Sequence, residues 1–472
     1  MTIDRRTILS VGIGLGGLQL AAGAGQSAAQ NAAVDARPET AGREPASAAD
    51  STVRTSVSAT DFGVVPDSAE NQTALLQAAI DAASTSRRIL SLPPGRIRAA
   101  GLTLRSGTRI AGGGNATELA LALPGSLLRA EDASGVAITD VTFDGGSLGV
   151  GAANEAGLLN FHRCSDIALD RIGVRHSGGH AVVLDSCSGR LAQSTLQHTT
   201  NAAVFCIDAT GMEIVDNVVA DCGNNGIQVW RRTSGEDATI VARNRISRIA
   251  ARSGGTGQNG NGINVYRAGN VLVDGNRISD CAYSAVRGNA AANIQILANN
   301  CQRLGEVAIY AEFAFEGAVI SGNLIDGAAT GISVTNFNVG GRLAVIQGNL
   351  IRNLKRREFE PEDKRGEGIA VEADAAVSGN VIENAATVGL LIGWGRYMRD
   401  VAATGNLIRS CDVGIMISAD AEAGACFVVN NMISGAENGA IRGMELGRLL
   451  GPDLVLEQTA TPRVTILGNM AV

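Results

Sequence analysis

The chain has 472 residues, 60 of them glycine, and is 45% hydrophobic but only 3% aromatic. That profile suits one long body of thin layers better than several compact cores. A formal net charge of -7, with arginines scattered singly and lysine confined to Lys355 and Lys364, excludes a nucleic-acid groove.

The N-terminus reads "MTIDRRTILSVGIGLGGLQLAAGAGQSAAQ": Arg5 and Arg6, an apolar run from Ile8 to about Ala24, then small residues fit for cleavage. This is the pattern of a twin-arginine export signal over residues 1–30, not of a membrane span. It implies the twin-arginine translocase as a partner during export, a periplasmic or secreted destination, and no membrane span in the mature chain. The string "GIGLGG" belongs to the signal, so a dinucleotide site is rejected. Residues 31–59, rich in Ala, Ser, Thr and Pro, read as a flexible leader.

The rest, 60–472, reads as one domain. "DSAENQTALLQAAIDAAS" predicts a helix over about 68–84, capped by Asp67 or Ser68, with Leu75, Leu76, Ala79, Ile80 and Ala83 forming one apolar stripe. Such an amphipathic lid is expected at the open end of a stacked-strand solenoid.

From about residue 88 onward a repeat of roughly 24 residues takes over. Its first unit, Asn-x-apolar, is anchored at Asn217, Asn244, Asn276, Asn299, Asn323, Asn349, Asn380, Asn406 and Asn431, with Ser194 and Asp170 in the same place upstream. Its second, Gly-Ile-x-Val, returns as "GIQVW", "GINVY", "GISVT", "GIAVE", "GLLIG" and "GIMIS". Two short alternating strands cannot bury their apolar face within one repeat, but coils stacked at about 4.8 Å can. Asparagine is expected to take the left-handed corner and to hydrogen-bond its own kind one coil on, and glycine to serve the other corner for the same backbone reason. The fold class is therefore all-β, a single parallel β-helix with an N-terminal capping helix.

Of eight cysteines, Cys164 and Cys187, and Cys222, Cys281 and Cys411, recur in shared contexts, which predicts stacked, mostly reduced thiols, with one or more disulfides as the alternative in an exported chain and no C-x-x-C pairs to suggest a metal site. His162, His176, His180 and His198 occupy different phases of their coils and read as turn or solvent-facing residues.

"ATDFGVVPDSAENQTALLQAAIDAAS" followed by "LSLPPGRIRAAGLTLRSGTRIAGGG" resembles the opening of right-handed β-helix proteins of the pectin-lyase-like superfamily. With the export signal, the whole is similar to the family of twin-arginine-translocated uncharacterised β-helix repeat proteins. The resemblance implies a right-handed helix and a carbohydrate context of lyases, hydrolases and epimerases. The superfamily's hydrolase, epimerase and calcium-lyase motifs are not matched; "GGHAV" around His180 is the nearest fragment. No cofactor or metal is implied, although the export route permits one.

Strand phase then nominates a site. In each Gly-Ile-x-Val strand the residues two and four after the glycine point outward. The second position runs Gln228, Asn264, Arg287, Tyr310, Ser333, Ala370, Leu391, Met416; the fourth runs Trp230, Tyr266, Asn289, Glu312, Thr335, Glu372, Gly393, Ser418. Insertions near 251–261 and 355–367 should flank this wet face and make a groove. Trp230, Asn264, Tyr266, Asn289 and Thr335 suit a sugar chain. Glu312 and Glu372, two coils apart, could act as a hydrolase's carboxylate pair. Alternatively, Arg287 could hold a uronate carboxylate while Tyr310 or Glu312 takes a proton, giving elimination or epimerisation. The expected partner is an acidic polysaccharide, acted upon by a lyase, epimerase or hydrolase, or held by a non-catalytic binding or envelope-structural protein.

Overall fold

A computed structural model describes residues 55–151, 156–255, 257–357, 366–457 and 463–472. The export signal and nearly all of the leader lie outside the described residues. From Arg54 onward the chain forms one unit, a right-handed parallel β-helix with three strands per coil. Among the described residues, fifteen strands stack into one sheet. Twenty-nine more form the other two faces, which the long strands Arg109–Leu121 and Ala137–Asp144 join at the start.

The helix spans Thr73–Thr85, starting later than expected, and Leu76, Ala79, Ile80 and Ala83 are buried while Leu75 is exposed. The delay has a local cause. Asp67 and Gln72 donate their backbone N–H groups to Arg96 and Arg98, and the Gln72 amide clasps both backbone groups of Val65, so this segment is stitched to the strand Gly95–Ala99 and cannot wind.

The asparagine ladder is continuous. Each amide from Asn217 to Asn431 donates through Nδ2 to Oδ1 of the next, at 2.9–3.0 Å, and Asn469 completes the series. Each Nδ2 also donates to a main-chain carbonyl, as from Asn323 to Ile296 at 2.9 Å, so these buried amides are well satisfied.

The corner assignment needs correction by one residue. Left-handed backbone falls on the residue before the ladder asparagine: Asp216, Arg243, Gly275, Ala298, Gly322, Gly348, Gly379 and Gly405. The Gly-Ile-x-Val glycines are not left-handed. They are required by close approach: a Cβ on Gly389 would lie 2.4 Å from Ile408 Cγ2 and 2.8 Å from the Gly414 carbonyl oxygen. Where stacked corners carry charge, an Asp in one coil takes two bonds of 2.7–2.9 Å from an Arg in the next, at Asp140–Arg171, Asp216–Arg243, Asp221–Arg248 and Asp280–Arg303. Only a guanidinium fork spans both carboxylate oxygens, which accounts for the near-absence of lysine.

All eight cysteines are buried and free. No helix of the described residues is long and apolar enough to cross a membrane.

Candidate functional site

The fifteen-stranded sheet carries the column that strand phase nominated. In register across neighbouring strands lie Gln228, Asn264, Arg287, Tyr310, Ser333 and Ala370, and beside them Trp230, Tyr266, Asn289 and Glu312. Thr335 and Glu372 follow directly after the paired Val334 and Val371, so Glu312 and Glu372 do sit two coils apart.

The expectation that this face is wet fails. Glu312 is 1% exposed, Asn264 3%, Gln228 5%, Arg287 6% and Glu372 8%; Trp230, Tyr266, Asn289, Tyr310 and Thr335 are half-buried. The first insertion folds back onto the column instead of standing beside it, whereas residues 358–365 of the second lie outside the described residues. Asn264 Nδ2 donates to the Gly257 carbonyl at 3.0 Å, and Arg357 of the second insertion approaches Glu306 at 3.6 Å.

Beneath them lies a cluster of two cations and two anions. Arg287 donates from Nε to Glu312 Oε1 at 2.6 Å and from Nη2 to Oε2 at 2.9 Å, and Asn289 Nδ2 donates to Oε1 at 3.0 Å. Arg287 Nη1 also reaches Glu306 at 3.4 Å, and its Cζ lies 4.8 Å from the centre of the Tyr310 ring. Burial opposes the Arg287 charge, but the Glu312 carboxylate outweighs it and holds the guanidinium above its ordinary range. Three N–H donors occupy Glu312, and Glu372 accepts the Phe337 N–H at 2.8 Å. Both carboxylates nominated for catalysis accept hydrogen bonds from protein N–H groups.

A second arrangement was only half legible. Four aromatic rings adjoin across coils: His180 stacks on Phe205 at 4.9 Å between centroids, whereas Phe205 meets Trp230 edge-on at 5.5 Å and Trp230 meets Tyr266 edge-on at 5.6 Å. Trp230 Nε1 donates to Asn264 Oδ1 at 3.0 Å, which fixes the indole. At the row's end Arg267 Cζ lies 4.8 Å from the Tyr266 ring centre. Arg267 donates to the Arg232 carbonyl and makes no ion pair among the described residues, whereas Arg232 is held by Asp185 and Asp208. Phe205, His180 and Arg267 were missed. Phe205 stands in "AVFCI", with alanine in the glycine's place as in "VAIYAEF", and that substitution was the available signal. Nor are the histidines all in different phases: His176 and His198 share one left-handed corner and stack at 5.4 Å. Among the described residues no three His, Cys, Asp or Glu side chains gather as metal ligands.

Fold and site together define a right-handed parallel β-helix with an aromatic and amide-rich face. The family model described as "Right handed beta helix region" matches residues 230–408. No curated protein matches the sequence. Among solved structures, the chain is similar to the pre-mature gene product 12 of bacteriophage phi29, at 12% identity and TM-score 0.49, covering 82% of this chain and 65% of that one. The chain therefore spans less than two thirds of the phage protein. It is also similar to the A-module of the Azotobacter vinelandii mannuronan C-5 epimerase AlgE4, at 17% identity and TM-score 0.42, covering 87% of this chain and 100% of that one. A third likeness is to PfbA, a surface adhesin of Streptococcus pneumoniae, at 15% identity and TM-score 0.45, covering 82% and 91%.

Proposed function

We propose that this is an exported polysaccharide-binding β-helix protein, sent by its twin-arginine signal to the periplasm or beyond, which holds an acidic sugar chain against the Trp230–Tyr266 face. The observation that carries this reading is the row of aromatic rings ending at Arg267, a cation with no carboxylate partner among the described residues. Sugar rings pack on aromatic faces, and a guanidinium matches a uronate carboxylate in two-pronged fashion. Arg287 suits that role less well, because Glu312 and Glu306 already neutralise it. Binding of this kind needs neither cofactor nor metal.

The test is a fluorescence titration of the purified protein with polyuronates and with neutral glucans. Polyuronates are expected to change Trp230 emission; Trp230→Ala should abolish the change, and Arg267→Ala should weaken polyuronate binding about tenfold, the loss of one charge-assisted contact. Binding to no polymer overturns the reading. Release of unsaturated uronate products would move it to catalysis around Tyr310 and Arg287.

A further inference from the structure

Between the aromatic row and the ion cluster lies a floor of two amides, Gln228 and Asn264, directly opposite each other on adjacent strands. The strap Gly257–Asn261 runs over them. Its carbonyl oxygens occupy side-chain donors of the sheet: Gly257 accepts from Asn264 Nδ2 at 3.0 Å, and Gln258 accepts from Asn225 Nδ2 at 2.9 Å. Yet Gln228 Oε1, also buried, has no hydrogen-bond partner among the described residues. The reason is chemical. A carbonyl oxygen can satisfy the Asn264 donor but has no proton to give Gln228.

A hydroxyl has both. Placed between residues about 4.8 Å apart, it accepts from Asn264 and donates to Gln228, which removes a buried unsatisfied oxygen. A carboxylate, like the strap carbonyl, could serve only one of them. We infer that Gln228 and Asn264 form a subsite for a sugar hydroxyl, held shut by the strap, whose Gly257 carbonyl stands in for the ligand. The subsite rests on the polysaccharide-binding reading and adds a neutral, hydroxyl-selective position beside the anion-selective Arg267. Asn264 serves both, because its Oδ1 orients Trp230. The strap is held at its far end by glycine: Gly260 has φ +81°, and a Cβ there would lie 2.3 Å from the Tyr283 ring. Gly260→Ala therefore displaces the strap without touching the floor.

The experiment measures affinity and association rate for a uronate hexasaccharide and for its carboxyl-reduced counterpart, which exchanges carboxylates for hydroxyls. The wild type is compared with Gln228→Met, Arg267→Ala and Gly260→Ala, with melting temperatures read alongside. Gln228→Met, which replaces an unpartnered oxygen by an apolar near-isostere, is expected to melt no lower than the wild type and to weaken both probes about tenfold. Arg267→Ala should weaken the uronate alone, and Gly260→Ala should speed association of both probes about tenfold by removing the closed state. If the wild type binds both probes and Gln228→Met binds them equally well, the subsite falls while polysaccharide binding stands. An unchanged association rate in Gly260→Ala overturns the strap's closing role. If the wild type binds neither probe, the polysaccharide reading falls and the subsite with it.

Discussion

Arg287 and Glu312 sit one coil apart and close a two-bond ion pair, at 2.6 and 2.9 Å, with side chains only 8% and 1% exposed. Cutting one member of such a buried pair leaves the other charge stranded. Glu312→Gln is expected to lower stability by about 3 kcal/mol, the cost being softened by Glu306 nearby. It should leave polyuronate binding at Trp230 largely intact. Denaturant unfolding followed by circular dichroism, with the fluorescence titration run in parallel, separates the two effects.

In mid-ladder, Asn323 receives both the N–H and the Nδ2 of Asn299 on its oxygen and donates to Asn349 and to the Ile296 carbonyl. Asn323→Ala leaves the Asn299 N–H and the Ile296 carbonyl of the preceding coil without this partner and takes one donor from the Asn349 amide oxygen of the next, so a loss of about 3–5 kcal/mol is expected, several weakened groups at about 1–3 kcal/mol each being partly relieved by relaxation. Asn323→Asp, which keeps the acceptor but loses both donations, should also destabilise. Equal unfolding midpoints for wild type and Asn323→Ala would show the ladder to be ornamental.

The two glycine classes should respond differently to alanine. At Gly389 the obstacle is steric, and Gly389→Ala is expected to cost about 1–3 kcal/mol through overpacking against Ile408. At Gly405 space is open but φ is +63°, so Gly405→Ala should cost only about 1 kcal/mol of left-handed strain. Melting temperatures of the two variants check the order.

Burial pushes the Asp237 carboxyl up to about 6 from its ordinary 3.8; Thr239 bonds its Oδ1, and Arg231 stands 4.0 Å from Oδ2. With the folded value above the unfolded one, folding favours the protonated form. The ionised carboxylate's penalty is absent below about pH 4, grows through about pH 6, and is constant above. Asp237→Asn should therefore stabilise the protein by about 3 kcal/mol at pH 7, the attraction to Arg231 being already contained in the shifted value, with the gain vanishing toward pH 4. Unfolding at pH 4, 6 and 8 reads the trend; a gain independent of pH would refute it.

Burial pushes the Cys222, Cys301 and Cys426 thiols up to about 12, which leaves almost no thiolate at neutral pH. A thiol reagent at pH 8 is expected to find these three unreactive in the native protein and reactive only after denaturation, as counted by colorimetric titration.

What the sequence determined by itself was everything that repeats. The coil period, the asparagine ladder, the strand phase and the register of Gln228 through Ala370 all follow from short-range alternation and turn chemistry renewed in each coil, so errors average out along the chain. It also placed Glu312 and Glu372 two coils apart and put Trp230 and Tyr266 on one face. What only the tertiary structure decided was everything set by contact between coils. The ladder asparagine and the left-handed residue are neighbours, and only backbone geometry tells them apart. The second glycine is required by Ile408 and its counterparts one coil away, not by its own φ. Above all, the first insertion folds onto the column at Asn264, and Arg287 closes on Glu312 across neighbouring coils. Period-2 patterning says which way a side chain points. It does not say what lies over it, because a non-repeating loop has no partner in the pattern.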